Sequence, residues 1–123
     1  MKKAHGEHNE ALCQKLLSEN VYKDWVVTTA FYSAIHFIDY KLFPLEHDGK
    51  IFNNISDIRR HLNSPSPHAA RKRIVSIYLA DQVANYDFLD KNCRNARYNN
   101  YAISLDKAQK ASQRLALVKS ACL

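Results

Sequence analysis

Three stretches of this chain carry residues whose types and spacing could do chemistry. The first is CRNARYNNY, Cys93 to Tyr101, where Arg94 and Arg97 stand three apart beside Tyr98 and Tyr101. A guanidinium can hold a phosphate with two hydrogen bonds, and a phenol ring offers a face on which a base stacks. Arginines interleaved with aromatics suit single-stranded RNA better than a DNA duplex, because stacking needs exposed bases. The second stretch is SPHAARKR, Ser66 to Arg73. Here His68 and Arg71 share a helical face, and Lys72 and Arg73 complete the densest positive charge in the chain. A histidine in the first turn of a helix has its proton affinity lowered by the helix dipole, so His68 is expected to be neutral near pH 7 and able to exchange a proton. The third lies in VVTTAFYSAIHFIDYKL, where Thr29, Tyr32, His36 and Asp39 recur at three- and four-residue steps. They form a polar seam on an otherwise apolar rod.

Each stretch also has a plainer reading. His36 can be a core histidine held by Asp39 or a backbone carbonyl. The basic stretch can be a solvated helix face. The tyrosines around Arg94 and Arg97 can be core residues with the arginines as their wet rim. A buried polar seam needs partners in any case, because an unpaired polar group costs free energy inside a protein.

The elements that must position these residues are helices. Only two glycines and three prolines interrupt 123 residues, which favours long helices over short strands and tight turns. A first helix is expected from His8 to Asn20, with Leu12, Leu16 and Leu17 as its apolar stripe. A second starts near Asp24 and runs to Pro44. It is apolar nearly all round and so is expected at the centre. Residues 44–54 read as a loop, followed by a short helix capped at Ser56. Ser66 and Pro67 make a good helix start, and that helix is expected to continue to Tyr98. YNNYAIS interrupts it, and a last helix follows Ser104. Along that helix Leu105, Ala108, Ser112, Leu115, Val118 and Cys122 repeat on one face.

The bulk properties bound the function. A chain of this length makes one domain with a real core. Its 46% hydrophobic and 24% charged residues are ordinary globular composition. The formal net charge of +6 favours polyanionic partners, nucleic acid foremost. Cys13, Cys93 and Cys122 are far apart with no C-x-x-C pair, so they read as reduced, partly buried thiols of a cytoplasmic protein rather than zinc ligands. The opening MKKAHGEHNE lacks the apolar run of a signal peptide. The apolar stretch from Trp25 to Phe43 carries too many polar residues to span a membrane.

The central AFYSAIHFIDYKL helix, SPHAARKR and YDFLDKNCRNARY together resemble the HEPN-domain proteins, small all-α prokaryotic proteins of toxin–antitoxin and defence systems. The resemblance covers residues 8–118. It implies a homodimer and metal-independent RNA cleavage by a motif of arginine, a polar residue, three variable residues and histidine. Arg94 and Asn95 match its start, and Asn99 stands at the histidine position. Asparagine cannot act as a general acid or base, so His36 or His68 would have to supply the proton chemistry.

The reading of the sequence is therefore an all-α antiparallel bundle of four main helices and a short one, a single HEPN-like domain over residues 1–123. It is expected to bind RNA or a nucleotide through a basic, aromatic-lined groove. Arg71, Arg94, Arg97 and Tyr98 would hold the ligand, and His36, His68 and Arg94 are the candidate catalytic residues. No metal or cofactor is called for. The alternative is a non-catalytic, antitoxin-like or regulatory subunit that docks a protein partner, such as a nucleotidyltransferase, on its bundle face.

Overall fold

The run from Val26 to Leu42 has to be covered on almost every side, and the chain supplies the cover with helices. The computed structural model describes residues 1–123. It contains α1 (Lys2–Glu19), α2 (Lys23–Leu42), a hairpin of β1 (Leu45–His47) and β2 (Lys50–Phe52), α3 (Ile55–Leu62), α4 (Pro67–Tyr78), α5 (Val83–Tyr98) and α6 (Leu105–Cys122). The fold is an all-α helical bundle, and α2 is its axis, packed against α1, α5 and α6. Val26, Val27, Phe31, Phe37 and Ile38 of α2 are buried together with Tyr86, Leu89, Leu115 and Val118. No helix is long and apolar enough to cross a membrane.

Small residues set how closely the helices approach. Gly6 lets α1 lie directly on α2: a Cβ there would stand 2.8 Å from the buried ring of Phe37. The same crossing is tied by Ser33, whose hydroxyl donates to the Gly6 carbonyl at 2.7 Å. On α6 the buried face is Ala108, Ala111, Leu115, Val118 and Cys122, so four members of the expected repeat lie on it, with Ala111 buried in place of the half-buried Ser112. Leu105 at its start stays exposed. All three cysteines are buried, more deeply than expected. Burial pushes the Cys13 and Cys122 thiols up to about 11, and Cys93 is raised as well. None is a ready nucleophile near neutral pH.

The helix ends follow side-chain capping rules. Ser66 accepts from the Ala69 amide at 3.0 Å and Ser104 from the Lys107 amide at 3.2 Å. Asn20 closes α1 in the left-handed conformation at φ 54°, which asparagine tolerates well. The cap of α3 is Asn54, accepting from the Asp57 amide at 2.9 Å, and not Ser56.

Three further expectations are corrected. The first helix begins at Lys2, a turn and a half before His8. The segment read as a loop holds a hairpin, in which Asp48 and Gly49 both have positive φ (52° and 73°), the turn that an Asp-Gly pair favours. His47 shares a 2.5 Å hydrogen bond with the Tyr78 hydroxyl, and His61 one of 2.8 Å with Asp48, so the hairpin is fastened to α4 and α3. The third correction matters most for function. The helix expected from Pro67 to Tyr98 ends at Tyr78, passes through a 3-10 turn at Ala80–Gln82, and restarts as α5. A straight rod of that length would span roughly 48 Å and carry Tyr86, Leu89 and Cys93 away from the core they now fill. Folding back buries them.

Candidate functional site

The turn after Tyr78 brings the start of α4 and the second half of α5 to one face of α2. Tyr86 of α5 donates its hydroxyl to the His68 carbonyl at 3.2 Å, and Lys72 pairs with Asp87 at 2.9 Å. Asp90, Arg94 and Arg97 of α5 lie near enough for their charges to act on His68. Its ring lies 5.4 Å from that of Phe31. Its Nδ1 is buried and has no hydrogen-bond partner.

That environment holds the His68 proton affinity below its ordinary value. Burial is the main cause, followed by the positive charge of Arg71, with Arg94 and Arg97 adding to it and Asp90 opposing. The direction is the one expected from helix position, but burial and the arginines are its causes. Placing the proton on Nε2 leaves the buried Nδ1 as a bare lone pair and keeps an N–H donor for an incoming acceptor.

The arginines divide by how their charge is spent. Arg71 is 4% exposed and grips Asp39 of α2 with both arms of its fork, Nε to Oδ1 and Nη2 to Oδ2, each at 2.9 Å. The expectation that Arg71 holds phosphate gives way to a helix-to-helix tie. Arg94 is exposed, but its Nε and Nη2 donate to buried Asp90 at 3.1 and 2.6 Å, which leaves Nη1 for a ligand. Arg97 has neutral partners. Its Nη1 donates to the Tyr32 hydroxyl at 2.7 Å, and its guanidinium lies 5.2 Å from the centre of the Tyr98 ring. Tyr98 itself is 72% exposed.

The seam on α2 sorts in the same way. Asp39 is taken by Arg71, Tyr32 by Arg97, and Thr29 donates to the carbonyl of Trp25 at 2.6 Å. His36 turns to α1, where its ring stacks on His5 with centroids 3.8 Å apart and planes 20° from parallel. Burial lowers the His36 proton affinity, and His5 adds to that effect more than Asp39 or Arg71 alters it. His68, Arg71, Arg94 and Arg97 thus share one electrostatic neighbourhood, and His36 joins it from the side through the Asp39–Arg71 pair. Asn99, where a catalytic histidine would stand, caps α5 and donates its amide to the Asn95 side chain at 3.3 Å.

Several residues of this face were missed in the sequence. His5, Asn9 and Trp25 line a hollow of about 380 Å³ with Thr29, Tyr32 and His36. His5 fell outside the expected first helix. Once that helix starts at Lys2, His5 and Asn9 are four apart and share a face. Asp90 was the other omission, although its i,i+4 spacing to Arg94 was readable. No group of three His, Cys, Asp or Glu side chains is arranged to hold a metal ion. The chain matches no protein-family model, no curated protein and no solved structure.

Proposed function

We propose that this face binds single-stranded RNA or a nucleotide, as a HEPN-like bundle would. The observation that carries the reading is Arg97, an exposed guanidinium positioned by a hydroxyl and an aromatic ring rather than by a carboxylate. Its charge is uncompensated and its geometry is set in advance, which is what phosphate recognition needs. The exposed ring of Tyr98 beside it offers a stacking surface, and His68 offers a neutral donor one helix away. The net charge of +6 adds the long-range attraction.

The test is anisotropy of a labelled single-stranded RNA against salt. Arg97→Ala is expected to weaken binding about tenfold or more and to reduce the salt slope by roughly 0.7, one phosphate contact on a single strand. Lys110→Ala, on the exposed side of α6, should change affinity far less. Equal affinities for the three proteins, or binding indifferent to salt, would remove the proposal.

Metal-independent cleavage at the same place is a second reading, favoured by His68, whose Nδ1 has no partner and whose proton affinity is lowered by burial and by the charges of Arg71, Arg94 and Arg97. It is tested by cleavage of the same RNA in EDTA with wild type, His68→Ala and Arg94→Ala. The same trace cleavage in all three would assign it to contamination and leave binding alone.

A further inference from the structure

The hollow between α1 and α2 meets the arginine face only at Tyr32, which accepts from Arg97, and it has a chemistry of its own. One wall is the stacked pair His5 and His36, and another is Trp25, whose indole is 54% exposed. Thr28 and Thr29 lie along α2 with their hydroxyl protons spent on the carbonyls of Asp24 and Trp25 at 2.7 and 2.6 Å. They present little polarity to an occupant beyond an acceptor lone pair. The Tyr32 hydroxyl accepts from Arg97, so its own proton is free to be donated. The Asn9 carboxamide and the Trp25 indole N–H take part in no side-chain hydrogen bond that ties down the threonines or Tyr32, and both edge the cavity.

An open hollow of this size, with aromatic rings and a few unspent polar groups along it, has room for a small planar molecule. Its lining includes no lysine or arginine, so a bare anion has nothing to bind inside it. The nearest cation is Arg97, at the Tyr32 edge. A planar, uncharged group attached to a phosphate fits both facts. Such a group would stack on Trp25, take hydrogen bonds from Asn9 and Tyr32, and leave its phosphate to Arg97.

We infer that this hollow is a nucleobase pocket, which takes one unstacked base of a nucleotide or RNA strand while Arg97 holds the adjoining phosphate. The inference rests on the proposed function for its ligand class and adds where the base goes and which residues recognise it. Trp25 and Asn9 are the specificity-determining side chains, and neither belonged to the arginine-rich stretch that first suggested RNA.

The chain has a single tryptophan, so the pocket reports on itself. Titration with adenosine 5′-monophosphate and uridine 5′-monophosphate, followed by tryptophan emission, is expected to give saturable quenching by at least one of them. Ribose 5-phosphate and inorganic phosphate should give none at the same concentrations. By calorimetry, Trp25→Leu and Asn9→Ala should each weaken the responding nucleotide at least tenfold. Trp25 is half exposed and Asn9 sits on a helix surface, so both variants should fold, which far-ultraviolet circular dichroism checks. Quenching by ribose 5-phosphate equal to that by the nucleotides, or unchanged nucleotide affinity in both variants, overturns the pocket. RNA binding that falls with Arg97→Ala but not with Trp25→Leu or Asn9→Ala overturns the pocket and keeps the basic face. Nucleotide quenching without any RNA binding keeps the pocket and rejects the RNA-binding face.

Discussion

Removing either partner of the Arg71–Asp39 pair tests whether this arginine is a structural tie or a ligand-binding group. Asp39→Ala leaves a guanidinium that is 4% exposed without its counter-ion. Stranding one charge of a buried pair typically costs about 3–5 kcal/mol. Arg71→Ala leaves Asp39, whose side chain is 15% exposed, so water can reach the orphaned carboxylate. The cost there should be lower, roughly 2–3 kcal/mol. Both are large fractions of the about 5–15 kcal/mol that holds a domain of this size. With a urea slope of about 1.5 kcal/mol per molar, Asp39→Ala should lower the unfolding midpoint by roughly 2 M or more, and Arg71→Ala by between 1 and 2 M on the same slope. The double variant should lose less than the sum, with a coupling of about 2 kcal/mol, because the second removal takes away a charge already stranded. RNA affinity of the folded Arg71→Ala protein should stay within a few-fold of wild type. The reasoning fails if both single variants keep the wild-type midpoint, or if Arg71→Ala folds normally and loses RNA binding as Arg97→Ala does.

Two further predictions follow from packing and from titration. Gly6→Ala should destabilise the protein by about 1–2 kcal/mol in urea melts, because overpacking against the immobile Phe37 ring costs more than the roughly 1 kcal/mol that alanine gains in a helix; a stabilised variant would mean that α1 can lift off α2 freely. His36 and His68 both have lowered proton affinities in the fold, so the unfolded chain takes up protons first as pH falls below about 6.5. Stability should therefore be full above that pH, decline as pH falls through the lowered folded values, and level off below them. The double variant His36→Gln/His68→Gln should show a flatter urea midpoint between pH 5 and 8, and an unchanged profile would place the titrating groups elsewhere.

The legible part of the fold was what local chemistry encodes. The all-round apolar run of α2 declared its central place, Ser66 with Pro67 and Ser104 declared helix starts, and Asn20 declared a stop. The hidden part was the break between α4 and α5. The segment YLADQ, Tyr78 to Gln82, holds neither glycine nor proline, and every residue in it can continue a helix. What ends the helix is tertiary: Ile74 and Val75 on one side of the turn and Tyr86, Leu89 and Cys93 on the other must reach the same core. Helical spacing alone cannot say that two buried faces face each other. The hairpin at Asp48–Gly49 is the opposite case, because its Asp-Gly turn signal stands openly in the sequence.

The same limit explains the site. Sequence shows that Arg71, Arg94 and Arg97 exist but not which carboxylate each one meets, and their functions differ by that allocation. Arg71 is consumed by a residue 32 positions away and Arg94 by one four positions away, while Arg97 meets only the Tyr32 hydroxyl and the Tyr98 ring. A guanidinium paired inside the fold must give up a charge-assisted bond before it can hold a phosphate, and one held by neutral partners gives up far less. The turn after Tyr78 is what makes the comparison matter, since without it His68 and the α5 arginines would lie at opposite ends of one rod. The feature least visible in the sequence is thus the one that gathers the residues most visible in it.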